Sequence, residues 1–317
     1  MKKLRLLFLL TLSAFCVTGC DLSQFIQIND STSQNEGSGN KEGGGSDDGG
    51  SGTGDDDGGG SGGGGGSGGG GDDGGGVIPD GYYAGINESL SGDDLLNQLR
   101  DLNKTKRKSE VGYSAMGTTP SGRFKYTDYD PSTVQYDQNG QPYGTRLISF
   151  YSGNSATSGM NREHVWPNTH GGSSVEDDIH MPRPTLTSEN GSRGHSFYIE
   201  GMKHSQNGWD PAMESFGVED YRGDCARIIF YCMVATKNLV LVDDKSRSYM
   251  TSNNEMGVIS DMLSWNLRYP VKDREQRRNS GAEYLQGNRN PFIDHPEYAC
   301  KIWGGYNQAT RQVCGGN

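Results

Sequence analysis

Positive charge is scarce in this 317-residue chain: 29 Lys and Arg stand against 40 Asp and Glu, a formal net charge of −11. The deficit is uneven. The first 20 residues carry three cations and no acid, residues 21–76 carry one lysine against 11 acids, and residues 77–317 are left at −4. Such a mildly acidic segment counts against a broad basic surface that grips nucleic acid through many phosphates. A polyanionic substrate would need local help, from a metal ion or a few clustered arginines. Cysteine is also sparse, six in all, and no CxxC occurs, which argues against a zinc knuckle. Cys225, Cys232, Cys300 and Cys314 follow residue 76. In an exported chain they allow one or two disulfides with three full pairings, although Cys225 and Cys232 fall on one face of an expected helix and fit a core role. Residues 77–317 contain no internal linker and read as one domain.

What is plentiful is glycine, 50 residues, half of them before residue 77. The start, MKKLRLLFLLTLSAFCVTGC, sets Lys2, Lys3 and Arg5 ahead of an apolar run too short to span a bilayer and ends in small residues before Cys20. This is the pattern of an export signal. VTGC resembles a bacterial lipobox, which implies a signal peptide over residues 1–19 and Cys20 as the lipidated first residue of a membrane-anchored, extracytoplasmic chain. An ordinary secretory peptide cut nearby is the alternative. Residues 20–76 hold too little apolar surface to offset the entropy of ordering, and are expected to be a disordered tether with a root-mean-square span of about 40 Å.

Beyond the tether, SGDDLLNQLRDLNK pairs Ser91 with Asp94 as a capping box and places Leu95, Leu99 and Leu102 at helical spacing. DQNGQ reads as a tight hairpin turn and TRLISFY as a strand. A short helix is expected around Leu186 to Arg193. GDCARIIFYCMVATKN, VISDMLSWNLRY and DREQRRNSGAEYLQ follow as three stronger helices with apolar residues at three and four, and GNRNPFIDHPEY reads as loop. Strands first and helices later predict an α+β domain.

NREHVWPNTHGG carries the chemistry. Phosphodiester hydrolysis needs a base for water and positive charge for the phosphoryl and departing oxygens. His164, near its ordinary pKa, accepts a proton at neutral pH, and Glu163 offers an oxygen of the kind Mg²⁺ or Ca²⁺ prefers. Neighbours on a regular strand point to opposite faces, so both serve one site only where the strand ends. Pro167, Asn168, Gly171 and Gly172 supply that ending. Asn190 is the best candidate for a second metal oxygen. The plain alternatives are a surface ion pair beside a turn for Glu163 and His164, and a helix-terminal cap for Asn190.

REHVWP, DDIH, PTLTSENGSRG and QGNRNPFIDHPEY together resemble the endonuclease I family of bacterial secreted and periplasmic nucleases, within the His-Me finger (ββα-metal) class, over about residues 110 to 300. The resemblance implies a short hairpin plus helix surrounded by helices. It implies one divalent ion, Mg²⁺ or else Mn²⁺ or Ca²⁺, on Glu163 and Asn190, with His164 as general base. The expected activity is cleavage of DNA, with RNA as a second polymer, at little sequence preference and with 5′-phosphate ends. No protein partner is expected. Some members hold the scissile phosphate with an arginine between the histidine and the asparagine. Arg183 is the one arginine in that interval, and Arg193 is another candidate for a catalytic phosphate clamp.

Asp178 and His180 read as structural or as supports behind the site, the aspartate fixing a loop or orienting His164. His170, His195 and His204 read as exposed or structural, and Trp166 as packing beneath the motif. Asn288 and Asn290 are expected to brace the catalytic hairpin. Arg277 and Arg278 sit in a basic run that is either a solvated face or a patch binding substrate phosphates. Two other functions stay open on sequence grounds: a surface-displayed binding module on a Gly-rich stalk, and a metal phosphodiesterase for small substrates.

Overall fold

A computed structural model describes residues 77–250 and 253–315; the expected signal peptide, Cys20 and the tether lie outside them. The described architecture is α+β, a helical body edged by four two-stranded sheets. Its first element is α1 (Gly92–Lys106), which buries Leu95, Leu96 and Leu99 while Leu102 is only half-buried. Each fully buried leucine contributes about 2 kcal/mol. Ser91 holds the N-cap position with extended backbone, but its side chain makes no capping bond, so the expected capping box does not form. Asp93 and Asp94 in the first turn, and Lys104 and Lys106 in the last, complement the helix dipole instead.

A one-turn helix, α2 (Tyr113–Met116), precedes the hairpin β1 (Val134–Tyr136) and β2 (Pro142–Gly144). DQNGQ forms its turn: Asp137 Oδ1 accepts from the backbone N–H groups of Asn139 and Gln141 at 2.8 and 3.0 Å. The strand expected in TRLISFY shrinks to β3 (Leu147–Ile148), paired with β4 (Ser155–Ala156). Ser149 closes the turn between them, its N–H donating to the Asn154 carbonyl at 2.8 Å and its carbonyl accepting from the Gly153 N–H at 2.9 Å, while its hydroxyl donates to Glu189 Oε2 at 2.6 Å and accepts from the Leu186 N–H at 2.8 Å.

The antiparallel pair β5 (Met160–His164) and β6 (Pro182–Leu186) runs directly into α3 (Thr187–Arg193), which makes the ββα unit. Behind it stands α4 (Tyr221–Ala235), packed against α1 and against α5 (Ile259–Arg268). Fourteen of the 15 residues of α4 are buried, so this helix has no solvent stripe. The charges it carries inward are paired: Arg222 reaches Asp210 at 2.8 and 2.6 Å, and Arg227 reaches Glu275 at 2.6 and 2.7 Å. A short parallel pair, β7 (Val240–Leu241) and β8 (Glu255–Met256), lies between α4 and α5 in sequence.

α6 (Asp273–Gln286) departs from expectation in kind. Its buried face is Glu275, Arg278, Asn279, Gly281, Ala282 and Gln286, mostly polar, and held by specific bonds rather than by apolar area. At Gly281 a Cβ would stand 2.0 Å from the Tyr126 carbonyl oxygen, so the close approach there requires glycine. The stretch expected as loop instead folds into α7 (Pro291–Asp294) and leads to α8 (Tyr298–Trp303). Pro291 takes the first helical position, and Asn290 Oδ1 accepts from the Phe292 N–H at 3.0 Å. A disulfide joins Cys300 to Cys314, tying α8 to the end of α9 (Gln308–Val313); Cys225 and Cys232 are free thiols buried in α4.

Candidate active site

β5 ends at His164, and the chain turns through Pro167 into a helical turn at Asn168–His170. Trp166 is fully buried beneath this corner, donating Nε1–H to the His170 carbonyl at 2.6 Å. Gly172 allows the return, since a Cβ there would stand 1.9 Å from the Trp166 carbonyl oxygen. The strand therefore stops where adjacent residues can share a space. Arg162, Glu163, His164 and Asn168 line one cleft of about 260 Å³ with Asn190 and His195.

Glu163 is 1 % exposed. Its Oε1 accepts from Tyr151 Oη at 2.7 Å and faces Arg193 Nε at 3.4 Å, while Oε2 has no hydrogen bond among the described residues. Burial pushes its carboxyl up to about 7, against the opposing pull of Arg193 and Tyr151. His164 is more open. Its Nε2 lies 3.0 Å from Glu176 Oε2, which leaves Nδ1 with the lone pair when Nε2 carries the proton. Burial lowers the imidazole's pKa, and the contact with Glu176 partly offsets this. The Tyr113 ring packs with its centroid 4.9 Å from that of His164, and the Arg162 guanidinium lies 4.0 Å from the centroid of the same Tyr113 ring.

Asn190 lies in the interior of α3, whose N-cap is Leu186, so the capping alternative does not apply. Its Nδ2 donates to Asn161 Oδ1 at 2.7 Å, an orientation that leaves its own carbonyl oxygen unbonded. An unbonded amide oxygen and an unpaired carboxylate oxygen lining one cleft fit a hard cation that keeps several waters, as Mg²⁺ does. Among the described residues no three His, Cys, Asp or Glu side chains group for a metal.

Several expected roles do not survive the geometry. Arg193 is fully buried, with Nη2 on the Val165 carbonyl at 2.8 Å and Nη1 on the carbonyls of Gly194 at 3.2 Å and His164 at 3.4 Å. It fastens the end of α3 to the strand end and has no edge left for a phosphate; the cation lining the cleft is Arg162. Arg183 lines a different cavity, with Nε on Asp128 Oδ1 at 2.6 Å. Arg278 is no surface cation: it is 3 % exposed and bonds Asp128 and the carbonyls of Ile179 and Pro182.

Asp178 does not reach His164. It accepts from Tyr231 Oη at 2.6 Å and Gln286 Nε2 at 2.7 Å. Asn288 donates to Tyr231 Oη at 2.7 Å, and His180 Nε2 donates to the Asn288 carbonyl at 3.1 Å. Asn290 Nδ2 bonds the Arg227 carbonyl at 3.0 Å. These residues bind the approach to β6 to α4 and the α6–α7 junction. Reading residues alone missed Glu176, Tyr151, Arg162 and the placement of His195 in the cleft. Glu176 heads three consecutive acids, so no spacing rule selects it.

A strand pair followed by a helix, with histidine, carboxylate and amide lining one cleft, defines the ββα-metal class. The endonuclease I family matches residues 91–297, and the chain belongs to that family of nucleic-acid hydrolases. It is 30 % identical over 249 residues to the extracellular ribonuclease of Bacillus subtilis (strain 168), covering 71 % of this chain and 78 % of the relative. It is 35 % identical over 160 residues to the extracellular ribonuclease of Bacillus amyloliquefaciens, covering 45 % of this chain and 53 % of the relative.

Proposed function

We propose that the protein is an extracytoplasmic, divalent-metal-dependent endonuclease that hydrolyses phosphodiester bonds of RNA and DNA with little sequence preference. The shared cleft of Glu163, His164 and Asn190 carries this reading. His164, held through Nε2 by Glu176, takes the proton of the attacking water at Nδ1. Glu163 and Asn190 would hold a divalent ion, and Arg162 meets the phosphate at the cleft wall. Bound there, Mg²⁺, favoured by the hardness of the two oxygens, would supply positive charge to the departing oxygen. In-line attack on phosphorus leaves a 5′-phosphate and a 3′-hydroxyl.

The cleft is lined by a guanidinium, a carboxylate, imidazoles and amides, with no Phe, Tyr or Trp ring among the described residues there for a base to stack on, which favours recognition through the backbone. The relatives' name, extracellular ribonuclease, brings RNA level with DNA and supports action outside the cytoplasm. The domain over residues 77–317, its tether and the lipid on Cys20 complete the proposal, on the strength of the leader and its VTGC end. His164→Ala, assayed with Mg²⁺ on supercoiled plasmid and on single-stranded RNA, is expected to lose about 10²- to 10⁴-fold in rate on the polymer or polymers that wild type cleaves. Cleavage by the variant at the wild-type rate overturns the assignment.

A further inference from the structure

We propose a second anion site, for one phosphate group, in the cavity formed by Arg183, Arg274 and Arg277 beside the β3–β4 hairpin. The source of that phosphate rests on the nuclease reading; the site itself does not. The cavity measures about 190 Å³ and includes Asp128 and Tyr221 in its walls, room for a phosphate group and a few waters.

Arg183 is 5 % exposed, and its guanidinium sits 4.1 Å over the Phe150 ring. Nε is taken by Asp128 at 2.6 Å, but neither Nη has a hydrogen-bond partner among the described residues. Neither Nη is sealed from solvent, so both open into the cavity, where water or an anion can meet them. Arg278, packed nearby, instead bonds Asp128, Ile179 and Pro182. Arg183 therefore presents one unmatched edge to this cavity.

Arg277 is half-buried on α6 and makes no ion pair or hydrogen bond among the described residues. One turn earlier, Arg274 is held in place by Asp224 at 2.7 and 3.1 Å and stacks 4.1 Å from the Tyr221 ring. Counting Arg278, four guanidiniums face two carboxylates, Asp128 and Asp224, an excess of two positive charges in a domain that is acidic as a whole. Guanidinium forks suit a tetrahedral oxyanion, since each presents paired donors. Arg183 also lies opposite Glu163 in the β5–β6 register. The site is thus built on the same hairpin as the cleft, and the phosphate it takes is either a backbone phosphate of bound nucleic acid or free inorganic phosphate.

The test titrates inorganic phosphate into the metal-free protein by calorimetry, against chloride at equal ionic strength. Wild type is expected to bind saturably, and Arg277→Gln, which breaks no existing ion pair, to bind about tenfold more weakly. Arg183→Lys keeps the charge but loses the fork and should also weaken. His164→Ala should bind phosphate as wild type does, so the site is read independently of cleavage. Comparing KM for a polynucleotide with KM for a dinucleotide then separates the sources. A ratio that rises in Arg277→Gln assigns the site to the substrate strand; an unchanged ratio, with phosphate binding weakened, assigns it to free phosphate. No saturable binding by wild type, or equal binding by wild type and Arg277→Gln, overturns the proposal.

Discussion

His164 Nε2 and Glu176 Oε2 stand 3.0 Å apart across the loop between β5 and β6, one end of the imidazole held by a carboxylate. This contact selects the tautomer and fixes the ring. Glu176→Ala is expected to lower kcat by about 10- to 100-fold with little change in melting temperature. Glu176→Gln, whose amide oxygen still accepts from Nε2–H, should recover part of the loss. Equal kcat for Ala, Gln and wild type would remove Glu176 from the mechanism.

Arg193 carries its charge wholly inside the protein, between Glu163 and three backbone carbonyls. Removing it leaves Glu163 without its countercharge and the carbonyls unpaired. Arg193→Met should cost about 3 to 5 kcal/mol in denaturant unfolding. Arg193→Lys should restore little of this, because one ammonium cannot span the same acceptors.

Ion binding has a readout that needs no substrate. A cation seated on Glu163 and Asn190 binds the folded chain alone, so Mg²⁺ at a hundred times its Kd is expected to add about 2.7 kcal/mol of stability. The gain should vanish on chelation, and be much reduced in Glu163→Gln and Asn190→Ala. A Mg²⁺-induced shift of the same size in both variants would place the ion elsewhere.

His180 makes stability depend on pH. Burial depresses its pKa to about 4, with Arg278 acting in the same direction and Asp178 opposing. The folded value is below the unfolded one, near 6.5, so the contribution is fully present above about pH 6.5 and is lost as pH falls toward 4. The loss across that window should approach about 3 kcal/mol. In His180→Gln, which keeps a donor for the Asn288 carbonyl and does not titrate, the unfolding free energy should be flatter over the same range.

The helices were legible to different depths, for different reasons. α3 and α5 match their expected spans within a residue or two because periodicity and turn residues are local. α6 matched in extent but not in character: its buried face is an ion-pair and amide network whose partners lie on other elements, so no periodic apolar pattern reveals it. The run GNRNPF looked like loop because Asn and Pro punctuate it, yet the same two residues are the cap and first position of α7.

The cleft shows the same division. Glu163, His164 and Asn190 could be singled out because their chemistry is specific and their order resembles a known motif. The three acids Glu176, Asp177 and Asp178 could not be told apart, although each has its own task. The first meets His164, the second accepts from the Tyr113 N–H at 2.7 Å, and the third anchors a buried network through Tyr231.

Residue type and order along the chain determined the reactive groups and the strand end that brings neighbours to one side, since those depend on chemistry and on backbone rules acting over a few residues. Which arginine faces the cleft, which acid touches the histidine, and which cations are sealed inside were decided by tertiary packing. Those outcomes depend on partners up to 150 residues away, Arg278 with Asp128 among them, and on desolvation that exists only once the core has closed.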